Sequence, residues 1–280
     1  MKYASFSFTS KDGLTLQGRA WLSHHSRAKG IIYLLHDLGE HSAYFSHVAE
    51  LFSENHYHFV ALDLRGHGLS EGKPGHSPSY IHLMNDIQNF IQVSSEKLNA
   101  AKLPSILYGH GLGANLAINY ILRRQPNITG VIATSPMLSL PFKVTKSKAA
   151  ALKILANIFP RFKMNNHIND KPLSRDLAVV QAHKEDVYNH KRLTARLALD
   201  IFQSSNYAIA NAHKWKIPML LMHGSDDHIC PPSISREFAQ KAGRLAELVI
   251  LENFYHEIHD DIHKELVIKK MLDWVGKEIQ

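Results

Sequence analysis

A chain of 280 residues with 45% apolar content can bury a full core, and its formal charge of +7 favours anionic surfaces. The positive charges are scattered, without the runs or motif spacing of a nucleic-acid binder, so no nucleic-acid partner is expected. The longest apolar runs, such as Ile31–Leu35, fall far short of the roughly twenty residues a spanning helix needs. The single cysteine, Cys230, leaves no internal disulfide and fits a reducing compartment. The start, MKYASFSFTSKDG, lacks the apolar stretch of a secretory signal. Together these predict a soluble cytoplasmic chain, at most peripheral to a membrane.

In chain order, the Lys-Asp-Gly turn precedes Leu14–Leu22, whose near-alternation predicts an antiparallel edge strand. Further strand-like runs are Ile31–Leu35, Phe59–Asp63, Ser105–Tyr108, Val131–Thr134, Met219–His223 and Glu247–Leu251. The later ones are continuously apolar, as strands covered on both faces must be. Segments of helical period fall at about 43–54, 80–99, 113–124, 233–242 and 261–276. The alternation predicts an α/β fold with a mostly parallel sheet and helices on both faces.

One segment breaks this rhythm. From Met137 to about Lys216 no convincing strand occurs, only helix-like stretches punctuated by Pro141, Pro160 and Pro172. Such a length between two sheet strands predicts a helical cap (137–216) inserted into a core of 1–136 and 217–280. Within it, Lys146–Phe159 places Leu152, Leu155, Ile158 and Phe159 on one helical face. That face either packs on the core or meets lipid at an anionic membrane surface.

The stretch SILYGHGLGANL (105–116) carries the chemistry and admits two readings. Gly109, Gly111 and Ala114 satisfy a dinucleotide-binding G-x-G-x-x-G/A loop. That reading also needs an acidic residue ending the next strand, yet none occurs from Gly109 through Pro141. The other reading is the nucleophile elbow G-x-S-x-G, with Gly111 at the centre. It needs an acid and then a histidine after later strands, and both are present. Met219–His223 is followed by Gly224-Ser225-Asp226-Asp227, and Glu247–Leu251 by Asn253-Phe254-Tyr255-His256.

Over nearly its whole length the sequence resembles the monoacylglycerol lipase and lysophospholipase branch of the α/β-hydrolases. The stretches that carry the resemblance are HDLGEHSAYF (36–45), LDLRGHGLSEG (62–72), GHGLGA (109–114), TSPML (134–138), LSRD (173–176), PMLLMHGSDDHICPP (218–232) and ENFYHEIHDD (252–261). The resemblance implies an α/β-hydrolase fold and a small lipid or acyl-ester substrate, with no cofactor and no catalytic metal. It makes Asp227 the triad acid, His256 the base, and the backbone N–H groups of Leu38 and Leu112 the oxyanion donors. Residues 137–216 become a cap over an acyl tunnel.

Two positions depart from the family pattern. Asp37 stands in the family's HG-x-G loop, where its carboxylate would repel an oxyanion and is therefore expected to face solvent. Gly111 stands where the serine belongs, and glycine cannot attack a carbonyl. Losing a triad serine removes a factor of about a million in turnover. Neither Ser135 nor Cys230 lies on a turn that would present it to His256. His259-Asp260-Asp261-Ile262-His263 mimics H-E-x-x-H, but no third ligand is placed by spacing, and solvated helix histidines are expected instead. Three accounts of Gly111 stand: a scaffold disabled by a Ser→Gly change, a natural non-catalytic lipid-binding relative, or a water mechanism. On the first, restoring serine at 111 restores an acyl-serine esterase.

Overall fold

The computed structural model describes residues 2–25, 27–140, 145–165 and 173–279, so Pro141 and Pro172 lie outside the described residues. The strands are β1 (Lys2–Thr9), β2 (Thr15–Leu22), β3 (Gly30–Leu35), β4 (Tyr57–Asp63), β5 (Ser105–His110), β6 (Gly130–Thr134), β7 (Lys163–Asn165), β8 (Arg192–Thr194), β9 (Met219–Gly224) and β10 (Ala246–Leu251). The α-helices are α1 (Ser46–Glu54), α2 (Tyr80–Lys97), α3 (Leu112–Arg124), α4 (Lys146–Ile158), α5 (Leu177–Glu185), α6 (Ala195–Asn211), α7 (Pro232–Ala242) and α8 (Lys264–Glu278).

Eight strands form one sheet in the order β1-β2-β4-β3-β5-β6-β9-β10. The pairs β1–β2 and β2–β4 are antiparallel, and every pair from β4 to β10 is parallel. The parallel sheet and its covering helices follow the sequence expectation. Leu14–Leu22 is corrected: β1 forms the edge, and β2 lies inside it. β3 shows why central strands read as unbroken apolar runs. Ile31, Tyr33 and Leu35 pack with α2 and α3 on one face, while Ile32 and Leu34 pack with α1 and α8 on the other.

The loop after β4 is tied down by charge. Arg65 is buried and forks onto Asp86 at 2.5 and 2.8 Å, and it reaches Asp12 at 2.9 Å. Asp63 accepts from the Ser42 N–H and hydroxyl at 2.8 and 2.5 Å, joining this loop to the one after β3.

Between β6 and β9 lie α4, α5 and α6, together with β7 and β8, which pair antiparallel. The expectation of a strandless cap is therefore corrected. Three-residue strands are too short to leave a period in the sequence. On α4, Leu152 and Ala156 are buried and Leu155 packs partly against the core, but Ile154, Ile158 and Phe159 are exposed. The expected single apolar face is thus split, because Ile158 and Phe159 end the helix beyond the surface it packs on.

Candidate active site

The ends of the parallel strands bring the candidate residues to one edge of the sheet. Asp37 follows β3, Gly111 follows β5, Asp227 follows β9 and His256 follows β10. This is the side on which open α/β sheets place their ligands.

Gly111 caps the N-terminus of α3 at φ +51° and ψ −114°, a conformation that strains any L side chain. Its neighbours must be small for a different reason. A Cβ at Gly109 would run into the Gly113 backbone, and one at Gly113 would run into the Leu35 carbonyl. Strand and helix meet too closely there for any side chain. The turn therefore has the tight geometry that the glycine spacing predicts.

The imidazole of His256 is fully buried, and its Nδ1–H donates to Asp227 Oδ2 at 2.7 Å. Asp227 is held in turn by the backbone N–H groups of Ile229 and Cys230, at 2.8 and 2.9 Å. His223 Nε2 lies 3.0 Å from the same Asp227 Oδ2 and 2.8 Å from the Cys230 carbonyl. Burial pushes the Asp227 carboxyl up, but the charge of His256 and the bonds from both histidines hold it well below the usual carboxylate range. Burial likewise pushes His256 down, and it is outweighed by the charge and hydrogen bond of Asp227 and by the bond to Asp37. The imidazole is therefore raised well above its ordinary value.

Asp37 overturns the expectation that it faces solvent. It is buried, and its carboxylate turns into the site. Oδ1 accepts from the Leu112 N–H, one of the two expected oxyanion donors, and Oδ2 lies 3.1 Å from His256 Nε2. A Cβ at position 111 would fall well inside contact distance of the Asp37 carboxyl group. The carboxylate thus fills the space that a serine side chain at 111 would need. It is stable there because a cationic imidazole and a backbone N–H replace the water it has lost. A serine at 111 would therefore have to displace this carboxylate. The second expected donor residue, Leu38, lies beside Asp37 and is also buried.

The two alternative nucleophiles are accounted for. Ser135 is buried and donates its hydroxyl to the His256 carbonyl at 2.7 Å, away from the imidazole ring. Cys230 is buried, and burial pushes its thiol well above the ordinary value, leaving the unreactive protonated form. The His259–His263 motif does not form a ligand pair. His259 is buried and stacks on Phe45 with centroids 4.4 Å apart, whereas His263 is exposed at the start of α8. The expected solvated histidines are thus half corrected.

Sequence reasoning missed His110 and Glu257. His110 ends β5 and Glu257 follows His256; both are buried, with His110 Nε2 at 3.0 Å from Glu257 Oε2. Burial and the charge of Glu40 raise the Glu257 carboxyl to about 7 against the opposing pull of His110. Their positions, next to Gly111 and to His256, were the available signal.

A cavity of about 770 Å³ opens between α6 and α7. Leu138, Leu140, Phe202, Ile209 and Ile234 line it, together with Asp227, Asn206, Glu237 and Lys241. Among the described residues no helix is long and apolar enough to cross a membrane.

The profile of the family described as serine aminopeptidase, S33, matches residues 26–263. An uncharacterized abhydrolase domain-containing protein of Dictyostelium discoideum is 33% identical over 276 residues, covering 97% of this chain. The chain spans only 29% of that relative's length. A monoacylglycerol lipase of Mycolicibacterium smegmatis is 26% identical over 271 residues, covering 96% of this chain and 95% of its own. The crystal structure of a monoacylglycerol lipase from Paleococcus ferrophilus superposes with a TM-score of 0.82 at 28% identity, covering 99% of this chain and 100% of its own. The architecture is the α/β-hydrolase fold.

Proposed function

The chain belongs to the serine aminopeptidase S33 family of α/β-hydrolases, and from that premise we propose that it binds a long-chain monoacyl ester without acyl-serine turnover. The substrate class is that named for its lipase relatives. The chemistry of the scaffold is ester hydrolysis: a serine at 111 would attack the ester carbonyl, His256 would take and return the proton, and Asp227 would orient the ring. In this chain the sequence of steps is blocked at its start.

The observation that carries this reading is the placement of Asp37. An acyl-serine mechanism needs a nucleophile at 111, a free His256 Nε2 to deprotonate it, and free N–H groups for the oxyanion. Gly111 supplies no nucleophile, and the two oxygens of Asp37 engage the other two parts. A fixed negative charge sits where negative charge would have to develop. The cavity that Asp227 lines remains, and its apolar residues Leu138, Leu140, Phe202, Ile209 and Ile234 offer room for an acyl chain. Residues between β6 and β9 act as the cap, and α4, with its exposed Ile154, Ile158 and Phe159, brings that cap to an anionic membrane surface.

The test is calorimetry of monoacylglycerols of increasing acyl length, beside turnover assays with the same lipids. Affinity should rise with chain length by about 0.8 kcal/mol per buried methylene, with no released fatty acid. Affinity independent of length would remove the acyl cavity, and fatty acid released through an acylated side chain would remove the block.

A further inference from the structure

We propose that Asp37, His110, His256 and Glu257 form a binding site for one divalent transition-metal ion of the zinc class. The inference does not depend on the acyl-ester reading. All four side chains are buried, and one ligand atom from each lies within 4.8 Å of all the others. They come from three strand ends, so the sheet itself brings them together: Asp37 after β3, His110 at the end of β5, and His256 with Glu257 after β10.

The orientation of both imidazoles is fixed from behind. The Thr134 hydroxyl donates to the Gly109 carbonyl at 3.3 Å, so at 2.9 Å it accepts from His110 Nδ1–H. In neutral His110 the lone pair is then on Nε2, pointing into the cluster. Asp227 does the same for His256 through Nδ1, which is the carboxylate–histidine support usual behind metal-binding imidazoles. Two donor atoms lack hydrogen-bond partners among the described residues, although water cannot reach them: His110 Nε2 and Glu257 Oε1. His110 Nε2 is nevertheless ion-paired with Glu257 Oε2 at 3.0 Å, so the atom left without a hydrogen bond is Glu257 Oε1. A buried oxygen without a partner is costly, and an ion among these side chains would satisfy it.

Two of the separations match a tetrahedral ion: donors about 2.0–2.1 Å from it stand about 3.3 Å apart, close to the 3.0 Å of His110–Glu257 and the 3.1 Å of His256–Asp37, and the remaining separations lie within 4.8 Å. Two nitrogens favour zinc, cobalt or nickel over magnesium or calcium, and two carboxylates balance a charge of +2. Asp37 reaches the cluster only because position 111 carries no side chain. The two departures from the family pattern are therefore both requirements of the site.

The whole chain, stripped with a chelator, is dialysed against ZnCl2 or CoCl2. One tightly held ion per chain is expected, with the thermal midpoint raised and visible ligand-field bands for cobalt. X-ray absorption of the zinc form should count two imidazoles and two oxygen donors. Asp37→Asn and Glu257→Gln keep shape and remove charge, and each should weaken affinity at least tenfold. The stacked surface pair His25 and His56 is the competing site, with ring centroids 3.4 Å apart. His56→Ala should leave the tight ion in place. The proposal is overturned if no ion is retained, if His56→Ala removes it, or if absorption counts other than two imidazoles. Should a carboxylate variant fail to fold, the imidazole count on the unaltered chain decides.

Discussion

Restoring a serine at position 111 should succeed only when Asp37 is removed with it. Gly111→Ser alone must hold a side chain at φ +51°, which costs about 1–3 kcal/mol. It must also expel the Asp37 carboxylate from its place against the Leu112 N–H and His256. Hydrogen bonds to charged groups are worth about 1.5–3 kcal/mol each, so losing two adds roughly 3–6. The sum, about 4–9 kcal/mol, rivals the whole stability of an ordinary domain. In Asp37→Gly/Gly111→Ser there is no carboxylate to expel, and the hydroxyl re-partners His256 Nε2, so only the backbone strain of about 1–3 kcal/mol remains. A double-mutant cycle on urea midpoints should therefore show a strong favourable coupling between the two changes. Activity should follow the same pattern. Fluorophosphonate labelling and p-nitrophenyl ester hydrolysis should appear in the double variant and stay at background in Gly111→Ser. Equal labelling of the single and double variants would refute the claim that Asp37 controls the site. A folded double variant that neither labels nor hydrolyses would show that Gly111 is not a vacated nucleophile position.

Other expectations are simpler to check. Arg65→Met should cost about 3–5 kcal/mol in chemical denaturation, because Asp86 would be left buried without its cation. The carboxyl of Asp227 is depressed in the fold, so its contribution is present above the unfolded value of about 4 and is lost as pH falls through the folded value. Asp227→Asn should accordingly flatten the acid limb of a stability–pH curve, and an unchanged limb would contradict the assignment. Ile209→Glu places a charge among the apolar residues of the cavity and should abolish the acyl-length dependence of binding in calorimetry. Co-sedimentation with anionic vesicles should fall with added salt, and fall again in Ile158→Ser/Phe159→Ser; equal pelleting throughout would detach α4 from any membrane role.

The parallel strands were legible because burial on both faces writes itself as an unbroken apolar run, as in Ile31–Leu35. β1 was not, since an edge strand whose first half, Tyr3, Ala4 and Ser5, is exposed carries a weak pattern. The pairing of Asp227 with His256 was legible as an order after successive strands, and the two side chains do meet. The direction of Asp37 was not. A carboxylate next to an oxyanion loop faces solvent by default, and what reverses it is an empty volume supplied by Gly111, far away in sequence. Two oddities that looked separate are one feature in space. His110 and Glu257 were passed over for a related reason, since a histidine or glutamate beside a motif says nothing of which way it points.

The fit between Asp37 and Gly111 also ties together two loops far apart in sequence. A side chain at 111 leaves no room for an inward carboxylate at 37, so an aspartate there would have to turn outward, and glycine at 111 is what lets it turn in. The direction of the acid after β3 is thus set at the turn after β5, and a change made in either loop is read through the other.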